Sequence, residues 1–169
     1  PEWVREKNRY LGRDLSDSES RDYARQYRDW DNLQYIFRGI EKFMPWINRV
    51  HFVTNGQKPH WLDEEASKLN WVHHADFMPQ EYLPTFSSHA IEHNLHRIKG
   101  LADRFILIND DMFTVRPTKQ SDFFSPNGLP RDQAALFRIT SVDYDSMFPH
   151  ILLNNTATLN ANFDSRLVL

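Results

Sequence analysis

The sequence predicts an α/β fold in which helices lie on both faces of a mostly parallel sheet. Helix-period and strand-period segments alternate between residues 29 and 108, and such alternation is typical of parallel sheets. Turn-forming residues follow two of the expected strands directly, at Asn55-Gly56 and at Asn109-Asp110. Apolar residues make up 40% of the 169 residues, so the chain is long and apolar enough to bury the core of one domain.

The composition excludes several classes of protein. The net charge is −3, so the chain has no general positive field that would attract nucleic acid. It contains no cysteine, which excludes disulfide bonds and thiolate zinc sites. No apolar run approaches the roughly 20 residues that cross a bilayer, so we expect no transmembrane segment.

The elements of the first half follow from apolar spacing. Apolar residues recur at helical intervals after Asp29 and Asp31, either of which could cap a helix that Pro45 ends. Residues 49–54 alternate and are rich in β-formers, which predicts a strand. A short helix over residues 61–69 and a brief strand over residues 70–73 are expected next.

The second half is less regular. A helix is expected to begin at Ser87 or Ser88 and to end at Gly100, and residues 122–124 could form a strand. A further helix is expected over residues 144–155. We therefore expect one domain in three parts, which are a charged N-terminal segment (1–28), a core (29–124) and a truncated C-terminal part (125–169).

The most informative segment is the apolar run at residues 105–108 with the acidic residues that follow it. Such a run predicts a buried strand, and Asn109, Asp110 and Asp111 would then lie at its carboxyl end. Open α/β sheets bind ligands at that edge, and adjacent carboxylates suit Mg²⁺ together with phosphate oxygens. The alternative is an ordinary turn, because Asn-Asp also begins turns.

Two further backbone features could contribute to a ligand site. Asn55 and Gly56 also follow a strand, and glycine allows a ligand to approach the backbone closely. The loop that leads to Ser87 and Ser88 ends at a helix N-terminus, where free N–H groups favour anions.

The helix after Ser88 carries unusual polar side chains. One interpretation places Glu92, His96 and Arg97 on the wall of a cleft beside the acidic turn. The alternative is a solvated face stabilised by pairs four residues apart. His89 and His93 also have the spacing of a shared metal, although zinc needs three or four convergent ligands.

Arg38 lies late in the first long helix and has two interpretations. Its guanidinium could clamp a phosphate through its planar fork. It could equally be a cation that complements the helix dipole. Spacing alone does not separate the two.

Several long motifs follow one another in a consistent order. They are RDWDNLQYIFR (28–38), MPWINRVHFVTNGQKPHWL (44–62), LPTFSSHAIE (83–92), HRIKGL (96–101) and FILINDDMF (105–113). Taken together, from about Arg25 to Phe124, they resemble the Stealth family of sugar-phosphate transferases. The family includes bacterial capsular polysaccharide phosphotransferases and the animal N-acetylglucosamine-1-phosphotransferase.

The resemblance implies a fold and a reaction. The fold would be GT-A-like, that is Rossmann-like, with an incomplete domain in this chain. The reaction would move a hexose-1-phosphate from a nucleotide-diphosphate sugar to a sugar hydroxyl of a glycan acceptor, with Mg²⁺ or Mn²⁺ as cofactor. The expected location is the bacterial cytoplasm, in peripheral association with a membrane assembly at the inner face of the cell membrane.

The resemblance also implies roles for single residues. Asp110 and Asp111 would bind the metal and the diphosphate, with Asn109 supporting them. Glu92, Arg97 and Arg38 would be catalytic, through ordering of the metal site and stabilisation of phosphate charge. The expected substrate-binding residues are Asn55, Gly56, Ser87, Ser88, His96, Asn109 and Asp132.

Two parts of the family pattern have no counterpart here, and two rival functions stay open. The family's segment upstream of Pro1 and its later region with a catalytic His and Arg are missing, so we expect this polypeptide to be inactive alone. The histidines present are not assigned as the base. The rivals are an ordinary GT-A glycosyltransferase, which transfers the sugar itself, and a non-catalytic interaction domain.

Overall fold

A computed structural model describes residues 2–12, 30–131 and 147–164. The chain divides into two compact units, Pro1–Pro130 and Arg131–Leu169. The α-helices described are α1 Glu2–Leu11, α2 Leu33–Phe43, α3 His74–Phe77, α4 Ser88–Asn94, α5 Gln120–Phe123 and α6 Met147–Asn162. The strands are β1 Val50–Thr54 and β2 Leu69–His73, and 3₁₀ helices cover Gln80–Tyr82 and Leu95–Arg97.

The two strands form a parallel pair, which agrees with the predicted α/β class. Their register joins Val50 to Leu69 and Thr54 to His73. Both strands lie within one residue of the predicted ranges, because each is a short run of β-formers. Helix α2 also ends where expected, since Met44 closes it and Pro45 follows.

The core of the first unit packs helix α4 against β2. Its buried members are Val72, Phe77, Met78, Leu95 and Ile98. Ile91, Leu95 and Ile98 recur at helical spacing and all belong to this cluster or pack on it. The apolar stripe therefore fixes which face of α4 is buried, and it leaves the polar face outside the core.

Helix α4 is shorter than the sequence predicts. Ser87 caps it as expected, because its hydroxyl accepts the Ala90 N–H at 3.4 Å. The α-helix ends at Asn94, whose buried side chain donates to the Ala90 carbonyl at 2.8 Å, and a single 3₁₀ turn continues to Arg97. The α-helix expected up to Gly100 is wrong by about one and a half turns.

Two other predicted elements are wrong because aspartate side chains bind nearby backbone. Residues 61–68 form turns instead of a helix, residue 69 already belongs to β2, and Asp63 accepts the Glu65 N–H at 3.0 Å. Residues 122–124 were expected to form a strand. Asp122 instead accepts the Lys119 N–H at 2.8 Å and caps α5.

The apolar run at residues 105–108 is not a buried strand. It has no regular secondary structure, and Phe105 and Leu107 are 45% and 46% exposed. A strand exists only where a neighbouring strand pairs with it, and β1 pairs with β2 among the described residues. The acidic residues 109–111 were expected at the carboxyl end of a third strand. They follow a segment without regular secondary structure instead.

The second unit contains helix α6, which includes most of the helix expected over residues 144–155. Some of its polar side chains form hydrogen bonds with backbone carbonyls of the same helix. The Thr156 hydroxyl, for example, donates to the Leu152 carbonyl at 2.9 Å. Thr158 donates in the same way to the Asn154 carbonyl at 2.8 Å. These local bonds satisfy hydroxyls on the exposed part of the helix.

Candidate functional site

The first unit contains an open cleft with a volume of about 580 Å³. Its walls come from α2, β1, α4 and residues 100–110. Most of the lining is apolar. The polar lining side chains on the second half of the chain are Ser88, Glu92, Arg104, Asn109, Asp110 and Gln120. A concave apolar surface with a few polar groups is the usual form of a ligand site.

The acidic residues lie on a tight turn at this cleft. The Met112 N–H donates to the Asn109 carbonyl at 3.1 Å, so residues 109–112 form a hydrogen-bonded turn. Asn109 and Asp110 line the cleft, and Asp111 is exposed beside them. Within the described parts of the chain, neither aspartate side chain accepts a hydrogen bond. Both carboxylates are therefore available to a ligand, and the turn interpretation and the ligand interpretation are compatible.

The turn is held from its C-terminal side by the end of helix α2. The Thr118 N–H donates to the Phe43 carbonyl at 2.9 Å, and the Trp46 indole N–H donates to the Thr118 carbonyl at 3.0 Å. The Thr114 hydroxyl also lies 3.3 Å from the Met44 sulfur. These contacts tie residues 114–118 to α2 and so limit where the preceding turn can lie.

Helix α4 places two predicted residues at the same cleft. Ser88 and Glu92 both line it, while Ile91 packs against the core on the adjoining face. Glu92 is exposed, so it can reach a ligand without losing a buried partner. The structure thus brings together Ser88, Glu92, Asn109 and Asp110.

The other predicted residues lie elsewhere or outside the described chain. Arg38 is exposed on α2, with its guanidinium 5.4 Å from the ring centre of Tyr35, and it does not line the cleft. His96 and Arg97 are exposed on the 3₁₀ turn and also do not line it. Asp132 lies outside the described residues.

Asn55 and Gly56 form a separate turn after β1. The Gly56 N–H donates to the Thr54 hydroxyl at 3.2 Å, and Gly56 has φ +89°, a conformation that favours glycine. Both residues are exposed and neither lines the cleft. Ser87 is used as the N-cap of α4, so its hydroxyl has a structural partner.

His74 is a polar residue of the cleft that the sequence did not single out. Its side chain is buried, it lines the cleft, and its Nδ1 has no hydrogen-bond partner among the described residues. Burial, and then the neighbouring His73, lower the pKa of His74. A neutral imidazole therefore lies in the cleft wall. The sequence has adjacent histidines at His73 and His74, and it does not indicate which of the two side chains would be buried at the cleft.

The donor set fits a hard divalent cation that is bound together with a ligand. Among the described residues, no group of three or more His, Asp or Glu side chains could hold a metal by itself. Asp110 and Asp111 nevertheless supply two oxygen donors, and Mg²⁺ commonly takes one or two protein carboxylates and completes its shell with water and phosphate. The same result gives no support to zinc at His89 and His93, which needs three or four ligands.

These features define an α/β protein whose apolar cleft is bordered by a turn with two exposed carboxylates. The chain belongs to the Stealth protein family, because residues 26–132 match conserved region 2 of Stealth proteins. The matched region contains the acidic turn, helix α4 and both strands. The resemblance noted from the motifs is thereby confirmed.

Relatives with assigned names are bacterial phosphotransferases of surface polysaccharides. The chain is 39% identical over 167 residues to the receptor polysaccharide phosphotransferase WefC of Streptococcus gordonii, covering 99% of the chain and 50% of that relative. It is 40% identical over 169 residues to the capsular polysaccharide phosphotransferase CpsJ of Streptococcus thermophilus, covering 100% of the chain and 69% of that relative. The chain therefore spans about half to two thirds of the length of these relatives.

None of the described helices combines the length and the apolar character that crossing a membrane requires.

Proposed function

We propose that this chain forms the donor-binding part of a sugar-phosphate transferase that builds a bacterial surface polysaccharide. The enzyme transfers a hexose-1-phosphate from a nucleotide-diphosphate sugar to a hydroxyl of a glycan acceptor. The relatives named as capsular and receptor polysaccharide phosphotransferases support the reaction class. The single observation that supports the site is the turn at Asp110 and Asp111, which presents two exposed carboxylates beside the cleft.

The proposed chemistry gives the chain a positioning role. A bound Mg²⁺ or Mn²⁺ would neutralise charge on the diphosphate and ease departure of the nucleoside monophosphate. Asp110 and Asp111 would hold that cation, and Asn109 would support the turn. Glu92 would help to order the site from helix α4, since it lines the same cleft.

The bond changes follow from the substrates. The acceptor hydroxyl attacks the sugar-proximal phosphorus in line, and the bond from that phosphorus to the bridging oxygen breaks. The products are a phosphodiester and a nucleoside monophosphate, and the acceptor proton passes to a base that is not assigned to these residues. Phosphoryl transfer depends mainly on positioning and charge neutralisation. The shaped cleft would supply the positioning, and a cation held by the two carboxylates would supply the neutralisation.

The proposal extends to the fold and the location. A GT-A-like sheet would place the acidic turn at the edge where such sheets bind ligands. The reaction would take place in the cytoplasm, at the inner face of the cell membrane, in peripheral association with the assembly that makes the polymer. Three predicted residues do not line the cleft, namely Arg38, Arg97 and His96. They would act on the donor only if the complete protein places the donor next to them.

Product analysis with the protein from the complete reading frame tests the function. We would incubate it with candidate nucleotide sugars and glycan acceptors, with and without Mg²⁺, and identify the nucleotide that is released. Release of the monophosphate with a phosphodiester product supports the proposal. Release of the diphosphate with a glycosidic product would instead assign an ordinary glycosyltransferase and contradict it.

Substitution of the acidic turn tests the site. Asp111→Asn should lower turnover about 10²-fold or more, because it removes one of the two carboxylates that would hold the cation at the diphosphate. Asp103→Asn is the matched control, since Asp103 is also exposed and lies in the same chain segment but outside the hydrogen-bonded turn at residues 109–112. Equal turnover in the two variants would show that the Asp111 carboxylate has no role in the reaction.

A further inference from the structure

The C-terminal side of the acidic turn is anchored at Thr118, a half-buried residue. Thr118 donates twice to the Phe43 carbonyl, from its N–H at 2.9 Å and from its hydroxyl at 3.2 Å. It also receives the indole N–H of Trp46, whose nitrogen lies 3.0 Å from the Thr118 carbonyl oxygen and 3.4 Å from its hydroxyl oxygen. On the other side of the turn, residues 105–108 have no regular secondary structure. The position of the turn therefore depends strongly on this anchor.

The short segment that carries Trp46 is itself held in place. It begins at Met44, which is 2% exposed, and it closes as a turn because the Ile47 N–H donates to the Met44 carbonyl at 2.9 Å. The Lys68 ammonium donates to the Pro45 carbonyl at 3.3 Å and to the Ile47 carbonyl at 2.9 Å. Since Lys68 directly precedes β2, these bonds join the segment to the sheet. Trp46 thus extends from a fixed support.

The ring of Trp46 supports a second segment that follows the acidic turn. Its centre lies 5.7 Å from that of Phe123 in helix α5. Helix α5 begins at Gln120, which lines the cleft as Trp46 does. A half-buried indole has one N–H donor with a fixed direction, so its hydrogen bond specifies one position for the acceptor. Trp46 therefore holds Thr118 through its N–H and packs on helix α5 through its ring.

We propose that Trp46 is a positioning residue of the donor site. Its indole N–H holds Thr118 and thereby keeps the acidic turn where Asp110 and Asp111 can bind one cation together. The inference rests on the proposed function for the role of these carboxylates. A cation that takes only two protein oxygens is sensitive to their placement, because the site supplies few other ligands. Loss of the Trp46 N–H should therefore weaken cation-dependent donor binding, although this N–H bonds to neither carboxylate.

Amide hydrogen exchange in the protein from the complete reading frame, without metal and without nucleotide sugar, tests the positioning. Trp46→Phe removes the N–H and keeps an aromatic ring beside Phe123. We expect the Thr118 amide to exchange about fivefold faster than in the wild type, a factor that corresponds to about 1 kcal/mol, the ordinary contribution of one hydrogen bond. The Met112 amide, whose bond closes the acidic turn, should exchange about twofold faster or more. Faster exchange at Thr118 alone would overturn the proposal.

The Mg²⁺ requirement of donor binding tests the consequence for the site. With the nucleotide-diphosphate sugar that the wild type binds most tightly, the Mg²⁺ concentration for half-maximal binding should rise about fivefold in Trp46→Phe. A variant that is only less stable would bind less donor in total and keep the wild-type Mg²⁺ midpoint. Trp61→Phe is the matched control, because Trp61 also packs on helix α2, with its ring centre 5.5 Å from that of Phe37. None of the described hydrogen bonds joins Trp61 to residues 114–118. Equal midpoints in the two variants would contradict the positioning role.

Failure of this inference can be told apart from failure of the proposed function. If the wild type shows no Mg²⁺-dependent binding of nucleotide-diphosphate sugars, the proposed function fails, and the exchange result still decides whether Trp46 holds the acidic turn. If Trp46→Phe does not fold, Thr118→Val removes the hydroxyl that donates to Phe43, whereas Thr118→Ser keeps it. We expect the Met112 amide to exchange about twofold faster in the valine variant than in the serine variant. Equal exchange in these two variants would overturn the proposal.

Discussion

At the scale of single residues, Asp110 and Asp111 differ from other aspartates of the chain in what surrounds them. Asp63, Asp76 and Asp122 each accept a backbone N–H, at 3.0, 2.7 and 2.8 Å, so these carboxylates have structural partners. Within the described residues, those of the acidic turn accept none. The sequence alone could predict a paired-carboxylate site here, because adjacent acids after an apolar run are visible in it. It could not show that other aspartates serve as caps.

His74 should make stability depend on pH. Its folded pKa is lowered by burial and by His73 from the ordinary 6.5, so the unfolded chain takes up a proton first as the pH falls. The stability that the neutral ring contributes is therefore complete above about pH 6.5 and is lost as the pH falls from there towards the lower folded pKa. Burial, and then Arg49, lower the pKa of His51, which adds a contribution of the same sign.

Denaturant unfolding at about pH 7.5 and about pH 5 checks this prediction. The loss of unfolding free energy on acidification should be smaller in His74→Gln than in the wild type, because the variant has one fewer buried imidazole to protonate. His89→Gln serves as the control, since His89 is exposed on α4. If both variants show the wild-type pH dependence, His74 is not the group responsible.

At the scale of elements, helix α2 positions the acidic turn through a close backbone approach. Gly39 is buried, and a Cβ at this position would lie 2.8 Å from the Thr114 carbonyl oxygen. The segment from Thr114 to Thr118 can therefore pack directly on the helix, where the bonds to Phe43 and Trp46 hold it. The sequence predicted this helix from its apolar spacing. It gave no indication that a helical glycine contacts the chain about 75 residues further on.

Gly39→Ala should destabilise the protein although alanine favours helices. The gain in helix propensity is at most about 1 kcal/mol, whereas overpacking against backbone costs about 1–3 kcal/mol. We expect a net loss of about 1 kcal/mol in the free energy of unfolding, measured by denaturant titration. Glu41→Ala, on the exposed side of the same helix, should change it by less than about 0.5 kcal/mol. A stabilised Gly39→Ala variant would show that the close approach does not form.

Elements that form from local sequence could be predicted. The segment at residues 105–108 could not, because a strand there depends on a neighbouring strand. Helix α2, the Ser87 cap and the buried stripe of α4 follow from residue types and spacing, and the structure confirms them. Residues 105–108 have the composition of a strand, yet pairing is a property of two chain segments. The prediction of a buried strand at residues 105–108 is wrong for this reason, since no described segment pairs with these residues.

At the scale of the whole molecule, the net charge of −3 gives no general attraction for anions. Binding of an anionic donor would therefore depend on positive charge close to the site. The cleft and the acidic turn lie within the region that matches Stealth proteins, residues 26–132. The motifs in the sequence were enough to predict this family. They could not predict which of the expected residues would share a cleft, since Glu92 and Asp110 line it whereas Arg38 and Arg97 do not.

Binding of nucleotide-diphosphate sugars to the complete protein tests the central claim most directly. Calorimetric titration with a panel of nucleotide-diphosphate sugars should show binding that requires Mg²⁺. The double variant Asp110→Asn/Asp111→Asn should weaken that binding at least about tenfold, and Asp103→Asn should leave it unchanged. If donors bind equally well without Mg²⁺, or if the double variant binds them as the wild type does, the acidic turn is not the donor site.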